Sequence, residues 1–253
     1  MKMKMYRNDE QFLVGITLKD ETQKENNNIA LHACESKEDV LENRNRFAES
    51  ICYPLSRIVF MNQTHSANFY EVSLEDAGRG STSLENAVAD TDCLFTKEKD
   101  IVLVTFVADC VPVMFTHEEA GIIGVIHSGW QGTVKEITRK VFTHLVEKED
   151  CSPEGFQVVL GPALSQEKFE VDADVSEKFR ALGYADNFIS WKEESQKYHI
   201  DNQSVVKKQL ELCGLSPNQI TLDRTCTFQS AEGFSYREDK RSGRHGAFVL
   251  RKS

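Results

Sequence analysis

Cys110 closes the apolar run Ile101–Val107 by way of Ala108-Asp109, and His127 closes the next one, Gly121–Ile126. A thiol and an imidazole delivered from the ends of neighbouring strands can hold a transition metal, or can pair a nucleophile with its base. His65, in Asn62-Gln-Thr-His65, ends a third strand-to-loop transition. His, Cys and His with a fourth position left open is the composition of a catalytic rather than a closed structural zinc site. Water on such a metal is acidified toward neutrality and becomes a nucleophile or a proton relay. Taken singly, each residue has a plainer reading, the cysteine as a small core residue and the histidines as structural strand ends. Their shared position at strand ends gives the set its weight, and both readings, metal site and thiol–base pair, stand on the residues alone.

Gly129-Trp130-Gln131-Gly132 follows His127 and leads into a helical pattern. Free backbone N–H groups at a helix start favour phosphate or carboxylate, so Gly129 and Gly132 are candidates for an anion, against the plainer reading of a tight turn. Trp130 offers a ring on which a ligand could stack. Asp109, beside Cys110, is the nearest carboxylate in sequence and the candidate for proton transfer. Basic residues gather in Arg237-Glu-Asp-Lys-Arg-Ser-Gly-Arg244, a patch that suits a small anion better than a polyanion.

These residues need strands to position them. Strand-like runs fall at 12–17, 57–61, 69–73, 91–96, 101–107, 121–127, 156–161, 220–223 and 246–250. Val111-Pro-Val-Met-Phe-Thr116 reads as a continuation of the 101–107 strand after a break, with Pro112 unfavourable to a regular central ladder. Helical patterns cover 36–52, 133–147, 175–182 and 202–213. In the first, Ser36 and Asp39 resemble a capping box, and Val40, Asn43, Phe47 and Ile51 share a face. In the second, Val134, Ile137, Val141 and Leu145 form one stripe. The pattern predicts an α+β chain, one domain over 1–253, with a mixed β-sheet core flanked by helices.

Composition narrows the function classes. A net charge of −10 argues against a nucleic-acid partner. No run approaches the roughly 18 apolar residues of a membrane span. The basic start Met1-Lys-Met-Lys-Met-Tyr-Arg leads into Asn8-Asp-Glu-Gln instead of an apolar segment, unlike a secretory signal. Seven cysteines in no paired spacing point to a reducing, cytoplasmic setting.

Asn62-Gln-Thr-His65, Ala89-Asp-Thr-Asp92, Ala108-Asp-Cys110, His127-Ser-Gly-Trp-Gln-Gly132, Gly161-Pro-Ala, Cys226-Thr and Ser235-Tyr-Arg with Gly243-Arg244 together resemble the YfiH-like "laccase domain" family. That family was once labelled polyphenol oxidoreductase and later described as zinc-dependent purine nucleoside enzymes. The resemblance implies one Zn²⁺ per chain on His65, Cys110 and His127. It implies phosphorolysis of adenosine, inosine, guanosine and S-methyl-5′-thioadenosine, with adenosine deamination in the same site. Phosphate would meet the Gly129–Gly132 turn and an arginine, Arg44 of Asn43-Arg44 or Arg237 of Tyr236-Arg237. Deamination would use a metal-activated water, with Asp109 as proton carrier. The partners it implies are purine nucleosides and phosphate, and the sequence sets no oligomeric state. The chain departs from the family at Ser66, at Ser165–Glu170 and at Thr17–Glu21, positions that bear on substrate preference. The rivals are a copper-dependent phenol oxidase, a metal-free cysteine hydrolase using Cys110 and His127, and a non-catalytic accessory protein.

Overall fold

A computed structural model covering residues 1–253 distributes fourteen strands over three sheets, two of them mixed and packed face to face. The five-stranded sheet runs in the order β1 (Met3–Asn8), β2 (Phe12–Thr17), β14 (His245–Arg251), β6 (Val102–Val107), β3 (Ile58–Phe60). Its pairings are antiparallel apart from β3 with β6. The six-stranded sheet runs β13 (Ile220–Leu222), β9 (Phe156–Leu160), β7 (Val111–His117), β8 (Ile122–Ser128), β5 (Cys93–Thr96), β4 (Phe69–Glu71). Here the edge pairs are parallel and the inner ones antiparallel.

Between the sheets, Val14, Ile16, Leu103 and Val249 of one meet Leu94, Met114, Ile123 and Val125 of the other. The outer faces are covered by helices. On the five-stranded side, α1 (Lys37–Ser50) lays Phe47 and Ala48 against Ile58, Phe60, Val104 and Phe248. On the other, α3 (Ile137–Lys148) and α5 (Asn202–Leu212) set Val141, Phe142, Leu145, Val206 and Leu210 against Val113, Phe115 and Val158. The result is a helix–sheet–sheet–helix stack. Burying a side chain of this size contributes about 1.5–3 kcal/mol, and the central strands bury both of their faces, whereas β9 leaves Gln157 exposed. Strands β6, β7 and β8 are buried at every position, which explains their nearly unbroken apolar sequences. No helix is long and apolar enough to cross a membrane.

The α+β class with a mixed β core and flanking helices holds, although the mixed sheet is two sheets. Val111–His117 does not continue β6. The chain leaves the five-stranded sheet at Val107, turns through Asp109 with φ +85°, and enters the centre of the six-stranded sheet. Pro112 is tolerated in that central strand because its carbonyl accepts from Gly161 N–H at the end of the β7–β9 ladder. Its missing donor therefore costs only the last bond on that side.

The helix expected over 133–147 is two helices, α2 (Trp130–Val134) and α3, separated by Glu136 at φ +58°. The Thr133 carbonyl, which a continuous helix would give to residue 137, instead accepts from Glu136 N–H and from Gln209 Nε2 at 2.8 Å. Helix α1 starts on Ser36, whose hydroxyl accepts from Asp39 N–H. It ends with Cys52 at φ +59°, where Cys52 N–H bonds Glu49 O and Tyr53 N–H bonds Ala48 O, a Schellman closure. Three strands escape a reading by periodicity: β10 (Glu170–Val171), β12 (Lys197–Ile200) and β11 (Ile189–Lys192) form a small antiparallel sheet. With α4 (Ala173–Arg180) it buries Phe169, Val171, Phe179 and Ile200 in a separate cluster. Strand β1 is likewise polar in sequence and pairs only on one edge.

Candidate metal centre and its cavity

The mouth of the centre is made where the two sheets exchange chain. Cys110 sits on the β6–β7 corner, His127 near the end of β8, and His65 on the loop after β3 with φ +57°. Their ligand atoms lie within 4.8 Å of one another, and the two imidazole rings stand 4.8 Å apart at 77°. His127 is buried, Cys110 half-buried, and His65 faces the opening.

Asp92, which in sequence stands only as part of the motif Ala89–Asp92 with no role of its own, assembles the three. The antiparallel register of β5 and β8 (Cys93 opposite Ile126) sets Asp92 beside His127, and its backbone carbonyl accepts from His127 N–H. Its carboxylate is 0% exposed and receives His127 Nδ1 at 2.8 Å, the Ser66 hydroxyl at 2.7 Å, and the backbone N–H groups of Thr64, His65 and Ser66. One buried carboxylate thus fixes both the loop bearing His65 and the ring of His127. Burial alone would raise its pKa, but the hydrogen bonds from His127 and Ser66 outweigh that and hold it at about 2. With Nδ1 committed to Asp92, Nε2 of His127 is the ring atom left to face Cys110 and a metal. Lys135 Nζ adds a further tether, on His65 O at 2.5 Å.

Burial also opposes ionisation of the Cys110 thiol, yet His127 and then His65 draw its pKa down to about 6. Burial likewise opposes the charged form of His127, and Cys110 and Asp92 raise it to about 9. Gly129 makes the cluster sterically possible: a Cβ there would lie 2.9 Å from Cys110 Sγ and 3.0 Å from His65 Cδ2. Two imidazoles and a thiolate, a carboxylate-oriented ring and an open side toward a cavity fit Zn²⁺ of the catalytic type. The same donors also suit copper.

The cluster lies on the wall of a cavity of about 660 Å³, within the size range of small-molecule sites. Of the residues singled out by sequence, Asp109, Trp130 and Arg237 join the three ligands on this wall. Asp109 accepts from the Thr227 hydroxyl and from Arg237 N–H, both at 2.7 Å. Trp130 is half-buried, with Lys178 Nζ 5.3 Å from its ring centroid. Gly132 is buried inside α2 and does not line the cavity, and neither does Gly129.

Arg44 is elsewhere: fully buried, it stacks on Phe60 and donates to the carbonyls of Ile29, Gly80 and Ser81. Burial depresses its pKa to about 9. Its position on the inward face of α1 makes it a brace for two loops. Asn202 and Arg244, neither given a role of its own in sequence, also line the cavity. Arg244 had a signal, its place in the terminal basic patch. Asn202 had none, because only the fold brings the start of α5 to Ser128, whose carbonyl it bonds at 3.3 Å.

Fold and cluster define an α+β chain of two packed mixed sheets with one candidate His–Cys–His metal centre. The chain belongs to the family described as multi-copper polyphenol oxidoreductase laccase, whose model matches residues 19–252. That agrees with the resemblance carried by its motifs. Among relatives, the purine nucleoside phosphorylase YlmD of Bacillus subtilis (strain 168) is 32% identical over 249 residues, covering 96% of this chain and 90% of that protein. The YlmD of Geobacillus stearothermophilus is 32% identical over 228 residues, covering 89% and 83%. Among solved structures, the Bacillus licheniformis hypothetical protein YfiH superposes with a TM-score of 0.92 at 26% identity, covering 98% of this chain and 96% of that one. The YlmD structure from Geobacillus stearothermophilus gives 0.89 at 29% identity, covering 98% and 99%.

Proposed function

We propose that residues 1–253 form one catalytic unit, a zinc-dependent purine nucleoside phosphorylase. Its substrates are adenosine, inosine, guanosine and S-methyl-5′-thioadenosine, and the same site deaminates adenosine. The observation that carries this is the three-ligand cluster opening onto a nucleoside-sized cavity, in a chain whose relatives are named purine nucleoside phosphorylases. Zinc, when bound to His65, Cys110 and His127, supplies a Lewis acid and acidifies water. Trp130 with Phe169 and Val175 gives the apolar wall on which a purine lies. Asp109 faces the same cavity and is the carboxylate available to carry a proton during deamination. In phosphorolysis the C1′–N9 bond breaks, the new bond forms between C1′ and a phosphate oxygen, and the purine leaves.

Two measurements on purified protein test this: metal content, and release of hypoxanthine from inosine with and without phosphate. One zinc per chain and strict phosphate dependence are expected. Stoichiometric copper with oxygen uptake on phenols would overturn the reading. His65→Ala should lower both zinc content and turnover by at least tenfold.

A second reading has one specific observation behind it. Cys110, His127 and Asp92 stand in the order nucleophile, base and orienting carboxylate. Metal-free protein that hydrolyses an amide or ester, and loses this in Cys110→Ala, would establish that reading instead.

A further inference from the structure

The charged side chains around the cavity are not evenly satisfied. Asp172 pairs with Lys197, Asp174 lies 3.9 Å from Lys178, and Glu170 lies 4.0 Å from Arg237. Arg237 also spends both terminal nitrogens on the carbonyls of Lys168 and Glu170. Arg244 is different. It lines the cavity half-buried, and no carboxylate pairs with it. Nη1 donates to the carbonyls of Ser242 and Gly243, and its backbone N–H to Asn28 Oδ1 at 3.0 Å. Those bonds pin the residue between the loop before β14 and the loop around Asn28. Nε and Nη2, the two-pronged edge of the guanidinium, make no hydrogen bond to the protein, and the Tyr236 ring lies 5.6 Å from the guanidinium carbon. His32 lines the same cavity from the Asn28 loop, edge-on to Phe106 at 5.4 Å, and its ring makes no hydrogen bond.

We infer that Arg244, with His32 beside it, forms the oxyanion corner of this cavity and holds inorganic phosphate there. The inference rests on the phosphorolysis reading for the identity of the anion, and on the residues themselves for its place. A guanidinium presenting Nε and Nη2 matches two oxygens of a tetrahedral anion in fork geometry. A half-buried cation with no carboxylate paired to it is an incomplete ion pair that an anion completes. Burial accordingly lowers the pKa of Arg244, against the opposing fields of Cys110 and Asp109. The nearby Asp109 does not already occupy the fork, since its oxygens are engaged by Thr227 and Arg237 N–H. His32 is held neutral, its pKa lowered to about 4 by burial and then by Arg244 and Arg44, so its ring offers a neutral N–H to the same anion. Neither Arg44 nor the Gly129–Gly132 turn is needed for this role.

The test is equilibrium dialysis of radiolabelled orthophosphate against zinc-loaded wild type, Arg244→Gln and Arg244→Lys, together with separate KM values for phosphate and inosine. Arg244→Gln should weaken phosphate binding, and raise the KM for phosphate, by at least tenfold. Zinc content and the KM for inosine should stay within about twofold. Arg244→Lys keeps the charge without the fork and should fall between, giving an interpretable variant should the glutamine protein fold poorly. Equal phosphate binding by all three proteins overturns the inference even if inosine is phosphorolysed. Arg244-dependent binding of phosphate in a protein that does not phosphorolyse inosine supports the oxyanion corner and overturns the proposed function instead.

Discussion

Asp92 shows how a single buried carboxylate can matter as much as the ligands it arranges. It gathers five donors from the His65 loop and from His127, so its loss should loosen two ligands together. Asp92→Asn keeps the volume but removes the charge and one acceptor. Zinc affinity, measured by competition with a chromophoric chelator, should fall by about 10- to 100-fold, the usual cost of removing such a partner. An affinity within twofold of wild type would show that the loop and ring are held by other contacts. The candidate ligands themselves were legible because each ends an apolar run, a position that sequence displays directly. Asp92 was not, since its role depends on the register of β5 against β8. Arg44 shows the converse: an arginine in an amphipathic helix reads as available for phosphate, while here the residue turns inward onto Phe60.

At the scale of elements, helix ends were more legible than sheet membership. Ser36 announced the start of α1 through its side chain, and the structure puts the cap there. The other end carries a cysteine in the left-handed region, where a residue with a Cβ is disfavoured by about 1–2 kcal/mol relative to glycine's ease. Cys52 is exposed and makes its contribution through backbone bonds alone. Cys52→Gly should therefore stabilise the protein by about 1 kcal/mol, a rise in Tm of roughly 2–4 °C for a chain of this size. A lowered Tm in thermal unfolding would refute the assignment of strain to that residue. The β6–β7 corner was misjudged as a break within one strand because both halves are equally apolar. Hydrophobicity reports burial, and both sheets bury these strands equally well.

For the molecule as a whole, pH enters through His245, buried where β14 begins. Its Nδ1 donates to the Thr17 carbonyl and its Nε2 accepts from Phe234 N–H, so the ring is neutral in the fold, and burial lowers its pKa to about 4. The unfolded chain takes up this proton near pH 6.5 and the folded chain only near 4. Stability is thus lost as pH falls through that window, by up to about 3 kcal/mol from this residue. Urea unfolding at pH 7.5 and 5.0 should show that loss in wild type and a flatter dependence in His245→Asn; equal slopes would count against it. The α+β class and the helical flanks were legible at this scale from apolar periodicity. The small sheet of β10, β11 and β12 was not, because its strands are short, polar and paired through a long excursion.

Strand β14 is the latest in chain order, yet it lies in the middle of its sheet, between β2 and β6. A nascent chain that has emerged only as far as Arg244 presents β2 and β6 with open edges, and the guanidinium proposed to hold phosphate has no strand to anchor it. The five-stranded sheet therefore closes only after its final member is made. Until then the two open edges can pair with other chains, so this architecture leans on whatever shields a growing polypeptide during synthesis.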